Sequence, residues 1–351
     1  MTPEELRNIV DRAHYFGLLQ KNPHGQLVHA PFSLTPYRLP TALISQLQIH
    51  TQWSSLLFWK VAQNYDFMRE ILEPTEKVDE FVRFLLSLIP NEKRQDQQLL
   101  INRNDFLFER KENGDLQPLQ VELNTISASF AHLSKRVTTF HQQLQQENIL
   151  KVSPLSHDAI AGFTSGIKET IEELGWQDAA LLMLVQPKER NWFDQMGLFV
   201  ALCKRGVPVV RASLAEVNEK GKLKNGDLWV GPQRIGIVYF RAGYSPGDFP
   251  DEVSCSARRM LEASSAVLVP EASMQLAGTK KIQQVLASSD ILREFVPESI
   301  ADQLKAYFAN MFANVSNLPN ATTYHGMFAH VHATGAAYFA HAGSWLSLIH
   351  I

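Results

Sequence analysis

Apolar residues recur at helical spacing through the first part of the chain. Behind Pro3, Glu4 and Glu5, a stripe of Leu6, Ile9, Val10 and Ala13 predicts a helix with an acidic first turn. A loop carrying Pro23, Pro31, Pro36 and Pro40 follows, then a long helical stretch from Thr41 to Leu72. Pro74-Thr75 reads as the start of another helix, running to Leu88 and stopping near Pro90. The period then changes. Leu99 to Phe108 and Leu116 to Leu123 alternate apolar and polar positions around Glu112-Asn113-Gly114-Asp115, which predicts a β-hairpin. Ser127 to Leu150 and His157 to Leu174 return to helical spacing.

From Ala179 strands and helices alternate. Ala180 to Val185 is a continuous apolar strand, Trp192 to Lys204 a helix and Val207 to Val210 a strand. Leu228 to Gly231 and Ile235 to Phe240 supply further strands, Val253 to Ala263 a helix and Ala266 to Val269 a short strand. Apolar strands separated by helices predict a sheet covered on both faces, so this part reads as a doubly wound α/β domain with a parallel sheet. Thr279 to Leu286 and Ser299 to Phe312 read as helices leading away from it.

Composition narrows the function classes. A net charge of -3 over 351 residues leaves no electrostatic footprint for nucleic acid or an anionic membrane. No apolar run approaches the roughly 20 residues of a spanning helix, and MTPEELRNIVDRAHYFGLL lacks an apolar signal core. The expectation is a cytoplasmic protein with no nucleic-acid or membrane partner. Cys203 and Cys255 are too few for a disulfide framework and read as reduced, buried thiols. The triplets Asn314-Val-Ser316 and Asn320-Ala-Thr322 read as chance matches to a glycosylation signal.

Polar residues cluster where a plain fold has little use for them. In Gln120-Val121-Glu122-Leu123-Asn124, a period of two puts Gln120, Glu122 and Asn124 on one face of a strand. A carboxylate beside an amide oxygen makes an edge suited to Mg²⁺ near phosphates; the alternative is a solvated face. Ser127 and Ser129 read as the start of a helix, with free N–H groups for a carboxylate or simply a serine cap. Arg103, in Asn102-Arg103-Asn104-Asp105, is either a partly buried fork for a carboxylate or phosphate or an arginine in water. Gln186-Pro187-Lys188-Glu189-Arg190-Asn191-Trp192-Phe193-Asp194-Gln195 and Tyr239-Phe240-Arg241-Ala242-Gly243-Tyr244 both follow apolar strands, where ligands bind in open α/β sheets; the alternative for the first is a charged turn with an Asn N-cap. Gly243 can supply a positive φ there. Gly278-Thr279-Lys280 lacks the leading glycine of a P-loop, yet offers a lysine at a helix start.

Taken collinearly, Glu122-Leu123-Asn124-Thr125-Ile126-Ser127-Ala128-Ser129, Lys188-Glu189-Arg190-Asn191, Phe193-Asp194-Gln195, Tyr239-Phe240-Arg241-Ala242-Gly243-Tyr244 and Gln275-Leu276-Ala277-Gly278-Thr279-Lys280-Lys281 resemble the eukaryotic glutathione synthetases, from about Ala30 to Asp290. The resemblance implies an ATP-grasp fold with an inserted substrate domain, a homodimer, and ATP-dependent joining of γ-glutamylcysteine to glycine with Mg²⁺. It implies that Glu122 and Asn124 hold Mg²⁺, and that Glu122 and Lys280 contact ATP. Arg103, Ile126, Ser127, Ala128, Ser129, Glu189, Arg190, Asn191, Gln195, Arg241, Ala242, Gly243 and Tyr244 would hold the dipeptide.

The same resemblance implies a later glycine-rich segment that grips phosphates, for which the sequence has no match, and beyond about Asn310 the likeness fades. Leu346-Ser347-Leu348-Ile349-His350-Ile351 back-translates to CTG TCT CTT ATA CAC ATC, which reads as an adapter used in preparing sequencing libraries. The expectation is therefore an incomplete ATP-grasp fold: a helical N-terminal region with partial ATP-grasp strands (1–178), a doubly wound substrate-binding domain (179–281), the return to the ATP-grasp domain (282–315) and a non-native tail (316–351). The tail histidines His325, His330, His332 and His341 are accordingly not read as a metal site. Such a chain is expected to keep the dipeptide pocket without turnover. The alternatives are a non-catalytic binding or dimerising module, or a related ligase that accepts another amino acid.

Overall fold

Thr2 opens the first helix by a reciprocal cap: its hydroxyl accepts from Glu5 N at 3.2 Å, and the Glu5 carboxylate accepts from Thr2 N at 2.6 Å. The computed structural model describes residues 2–348 except 91–96, 112, 288, 309, 313–315, 317, 319, 323–327, 332–335 and 342. Glu112 of the predicted turn, Asn314, His325 and His332 therefore lie outside the described residues. Helix α1 spans Pro3–Tyr15 and buries Ile9 and Ala13, whereas Leu6 faces water.

The proline-rich stretch expected as loop carries a small hairpin, β1 (Leu19–Lys21) and β2 (Leu27–His29). The long helix expected to Leu72 is two, α2 (Thr41–Gln63) and α3 (Tyr65–Glu76), because the Asn64 side chain accepts from Phe67 N at 3.1 Å and restarts the helix. Pro74 lies inside α3 rather than opening a helix. The next helix, α4 (Glu80–Leu88), is started by Asp79, which accepts from Phe81 N and Val82 N at 2.9 and 3.0 Å. The predicted hairpin is β3 (Arg103–Arg110) with β4 (Leu116–Asn124), and a bulge interrupts it between Asp105 and Phe106.

Helices α5 (Ala131–Gln146) and α6 (Ala159–Glu173) follow, α5 starting later than Ser127. Then come β5 (Ala180–Leu184), α7 (Trp192–Lys204), β6 (Val209–Ala212), α8 (Leu214–Lys220), β7 (Gly221–Lys224), β8 (Asp227–Val230), β9 (Gln233–Phe240), α9 (Glu252–Glu262) and β10 (Val267–Val269). The rest is α10 (Ala272–Ala277), α11 (Lys280–Leu286), α12 (Ser289–Phe295), α13 (Glu298–Lys305), β11 (Asn310–Phe312), β12 (Phe328–Val331), β13 (Ala336–His341) and β14 (Ser344–Leu348). The helix expected from Ser299 to Phe312 thus ends at Lys305, and its last part is strand.

Contacts divide the chain into two compact units that cut across the segments read from the sequence. The first comprises Met1–Leu39, Arg94–Ile101 and Ser127–Pro270. Its sheet runs β6-β5-β9-β8-β7, with β10 also on β9. The pairs β5/β6, β5/β9 and β9/β10 are parallel, as expected. The β7–β8 hairpin is antiparallel, and β8 meets β9 antiparallel, so the sheet is mixed rather than wholly parallel. The lysine-bearing β7, Gly221-Lys222-Leu223-Lys224, is an edge strand without the apolar signal of its neighbours. One face packs Leu181, Met183 and Ile237 against Ile167 and Ile171 of α6 and Leu202 of α7. On the strand end, Phe240 lies 4.0 Å under the guanidinium of Arg258 from α9. Arg258 is fully buried and donates to Glu262 Oε1 at 3.0 and 2.7 Å. Cys203 is exposed and Cys255 partly so, which corrects the expectation of buried thiols: α7 turns Leu202 inward and its neighbour outward.

The second unit comprises Pro40–Lys93, Asn102–Ile126 and Glu271–Ile351. Its core joins Leu57, Phe58 and Val61 of α2 to Met68 and Leu72 of α3, Leu85 of α4, Leu123 of β4, Leu276 of α10 and Leu286 of α11. The chain therefore has a mixed α/β architecture.

Candidate functional site

In the second unit the β3–β4 hairpin gathers the charged residues singled out from the sequence. The bulge pairs Asp105 with Glu122 and Phe106 with Gln120, leaving Val121 without a partner in the register. It breaks the simple alternation, so Gln120 does not join Glu122 and Asn124. Gln120 is buried, and its Oε1 accepts from Asn104 Nδ2 at 3.1 Å and Ser54 Oγ at 3.0 Å, and meets His50 Nε2 at 2.7 Å. Arg103 forks onto Asp105, both bonds 2.8 Å long. Asn124 Nδ2 donates to Asp105 Oδ2 at 3.0 Å and to Arg103 O at 3.3 Å, which leaves Asn124 Oδ1 a free acceptor among the described residues. Lys280 Nζ, at the start of α11, donates to Glu122 Oε2.

Close packing puts Lys280 there. A Cβ on Gly278 would lie 2.2 Å from Thr125 Oγ1, so only glycine lets the turn before α11 approach the end of β4. Gln283 of α11 adds a bond, its Oε1 accepting from Leu123 N at 3.1 Å. Burial pushes the Glu122 carboxyl up, but the Lys280 ammonium, the Asn124 amide and the Arg103 charge outweigh it and hold its pKa below the ordinary value. The group is an ionised carboxylate at neutral pH beside an amide oxygen. Mg²⁺ in nucleotide sites takes one or two protein oxygens and completes its shell with phosphates and water, so Glu122 and Asn124 fit it. Among the described residues no cluster of three or more His, Cys, Asp or Glu is gathered for a metal. Ile126, placed in the dipeptide set by the sequence, is half-buried at the end of this segment.

In the first unit the Ser127–Phe130 corner is held in a conformation that residues with side chains rarely adopt. Ser127 has φ 52° and Phe130 φ 75°, each costing on the order of 1–2 kcal/mol. Fixed partners hold it. Arg241 Nη1 donates to Ser127 O, Ser127 Oγ donates to Phe240 O at 3.2 Å, and Tyr239 Oη donates to Ala128 O at 2.6 Å. Burial pushes the Tyr239 hydroxyl up to about 12, partly offset by Arg241, so it remains a donor. Asp194, buried on α7, accepts from Phe130 N at 2.8 Å and from His132 N and Leu133 N at 3.0 Å each. It is the N-terminal cap of α5, supplied from another helix; the sequence had put that start at Ser127.

The remaining residues line the carboxyl ends of β5, β6 and β9. Glu189 Oε1 accepts from Asn191 N at 2.8 Å at the start of α7. Gln195 is 1% exposed and its Oε1 accepts from Arg211 Nη2, at the end of β6, at 2.8 Å. Gln195, Ala128, Tyr239 and Arg241 share a cavity of about 10 Å³, room for a single oxygen atom. The turn after β9 carries buried Ala242 and Gly243 at φ 86°. Asp248 closes this turn, accepting from Gly243 N, Tyr244 N and Ser245 N at 3.1, 3.2 and 3.3 Å. Gln186 bridges Asp248 Oδ1 and Tyr244 Oη at 2.8 and 3.1 Å. Arg190 is exposed, its Nε donates to Lys21 O at 3.4 Å, and its carbonyl accepts from Lys21 N at 3.0 Å. Asn191 precedes α7 but makes no side-chain cap bond, and Ser129 is half-buried in the corner. Asp105, Asp194, Arg211, Tyr239 and Asp248 act here without having been named as site residues from the sequence. Asp194 and Tyr239 sat inside the quoted motifs; Arg211 and Asp248 carried no local signal.

Comparisons with known proteins find relatives along most of the chain. The family model for the ATP-binding domain of eukaryotic glutathione synthase matches residues 8–326, running beyond Asn310, where the likeness read from the sequence faded. The chain is 35% identical to glutathione synthetase of Xenopus laevis over 309 residues, covering 84% of this chain and 65% of that protein. It is 35% identical to the human glutathione synthetase over 329 residues, 88% of this chain and 69% of that one. A chloroplastic glutathione synthetase of Arabidopsis thaliana is 35% identical over 301 residues, of which 55% of its own length is covered. The chain thus spans 65% of the Xenopus relative and 55% of the plant one. A glutathione synthetase-like effector of Globodera pallida, in its apo form, shares the fold at a TM-score of 0.72 and 19% identity, over 88% of this chain and 71% of that one. With most of its length matched by the family model, the chain belongs to the eukaryotic glutathione synthase family.

Proposed function

We propose that this chain carries the nucleotide and dipeptide chemistry of an ATP-dependent carbon–nitrogen ligase that makes glutathione from γ-glutamylcysteine and glycine, on an ATP-grasp fold. Glu122 and Asn124 hold Mg²⁺, and Glu122 with Lys280 contacts ATP. Arg103, Ile126, Ser127, Ala128, Ser129, Glu189, Arg190, Asn191, Gln195, Arg241, Ala242, Gly243 and Tyr244 recognise the dipeptide, segment 179–281 being the substrate domain. The homodimer rests on resemblance.

The chemistry follows from charge. The cysteinyl carboxylate attacks the γ-phosphorus; its oxygen–phosphorus bond forms as the bond to ADP breaks. The glycine amine then attacks the acyl carbon and phosphate leaves. Bound Mg²⁺ supplies charge neutralisation between the two anions. Lys280 adds a cation beside the phosphates once it leaves Glu122, and Arg241 keeps the Ser127–Ser129 backbone in the shape that offers its N–H groups to an anion.

The observation that supports this reading is the strained corner clamped by Arg241, Tyr239 and Asp194, positive φ at two side-chain-bearing residues being a conformation that is kept at ligand sites despite its cost. Titration calorimetry with γ-glutamylcysteine tests it. The account expects saturable heat, weakened at least about tenfold by Arg241→Ala. No heat, or equal heat with the variant, contradicts it. Binding of the dipeptide without glutathione formation would favour the non-catalytic binding module instead.

A further inference from the structure

Arg211 is the penultimate residue of β6, next to β5 in the parallel part of the sheet. No signal in the sequence marked it, and the ligand set above does not include it. Its Nη2 donates to Gln195 Oε1 at 2.8 Å. An amide has one accepting and one donating end, and this bond uses the accepting end, so the Gln195 Nε2 donor is turned the other way. Gln195 is 1% exposed, and its Nε2 has no hydrogen-bond partner among the described residues. Arg211 Nε is buried without a partner as well. Buried donors are ordinarily satisfied, so two of them together ask for an acceptor. Glu189, in the loop after β5, carries the opposite charge and opposes the fall in Arg211 pKa that burial causes.

Two unpaired donors, with a carboxylate near enough to act on the arginine, complement a zwitterion with its own carboxylate and ammonium. That is the head of an α-amino acid, which a γ-glutamyl compound leaves free. We propose that Arg211 is a positioning residue for this head: it locks the Gln195 amide so that Nε2 is presented to the ligand's α-carboxylate. One oxygen of that carboxylate fills the cavity of about 10 Å³ that Gln195 shares with Arg241 and with Asp194, whose own charge is taken up by three backbone N–H groups. The inference rests on the proposed dipeptide binding and adds a residue to it.

Calorimetry with two ligands on the same chain tests it: γ-glutamylcysteine, and 4-aminobutanoyl-cysteine, which keeps the amine and lacks the α-carboxylate. The wild type is expected to bind the second at least about tenfold more weakly, the cost of one charge-assisted bond. Arg211→Met and Gln195→Met should each lose affinity for the dipeptide and bind the two ligands alike, and the double variant should be no worse than either single one. Arg211→Met that still prefers the dipeptide as the wild type does, or that weakens both ligands by the same factor, overturns the proposal. Should Arg211→Met fail to fold, Arg211→Lys decides, since it keeps the charge without the fork: lost preference supports the role and retained preference overturns it. A wild type that binds neither ligand overturns the dipeptide reading and this inference with it. A wild type that binds, with an unaltered Arg211→Met, overturns the inference alone.

Discussion

Glu122 shows how far a single side chain was readable. Its place beside Asn124 followed from the period of a strand, and the structure keeps them together with Lys280 and Arg103. Asp105, which sets the amide of Asn124, lay in a noted cluster, but its partnership depends on a bulge that skips Val121. A bulge has no dependable local signature, and the same bulge separates Gln120 from the face it was assigned. The depressed pKa of Glu122 gives a prediction with a definite sign. A carboxylate whose folded-state pKa is lowered contributes stability above its unfolded value of about 4.3, and that contribution is lost as pH falls through the lower, folded-state value. The melting temperature of the wild type should therefore exceed that of Glu122→Gln at about pH 6, and the gap should close as acid protonates Glu122. A gap that stays constant with pH would mean that the ion pair with Lys280 does not form in solution.

At the scale of elements, long apolar strands and well-spaced helices were legible: β5, β9 and α7 stand within a residue or two of the sequence reading. What failed was punctuation. Asn64 and Asp79 start helices through side-chain caps, while the more conspicuous Pro74 does not. The start of α5 was misplaced because its cap is tertiary: Asp194 comes from α7, far along the chain, and Phe130 takes a positive φ without being glycine. Asp194→Ala removes the acceptor of three backbone N–H groups at once. It should destabilise the chain by at least about 2 kcal/mol in urea unfolding, with Asp194→Asn milder. An alanine variant as stable as the wild type would show that the α5 start is held by other means.

For the whole molecule, the sequence motifs gave the family, and the family model, matching residues 8–326, bears that out. Their division between units was not readable, because both units are assembled from separated pieces of chain. Pro40–Lys93, Asn102–Ile126 and Glu271–Ile351 build one unit, while Met1–Leu39, Arg94–Ile101 and Ser127–Pro270 build the other. Covalent neighbours such as Ile126 and Ser127 thus take part in different packing, which no local pattern announces. Among the described residues no helix is long and apolar enough to cross a membrane.

The most direct test is of Glu122 and Asn124 as oxygen ligands to the divalent ion of a nucleotide. Mn²⁺ can stand in for Mg²⁺ and be followed by electron paramagnetic resonance as ATP is added to the chain. The account predicts Mn²⁺·ATP binding that weakens at least about tenfold in Glu122→Gln, and again in Asn124→Leu, while both variants retain the wild-type fold by circular dichroism. Equal Mn²⁺·ATP binding by the wild type and both variants would contradict it.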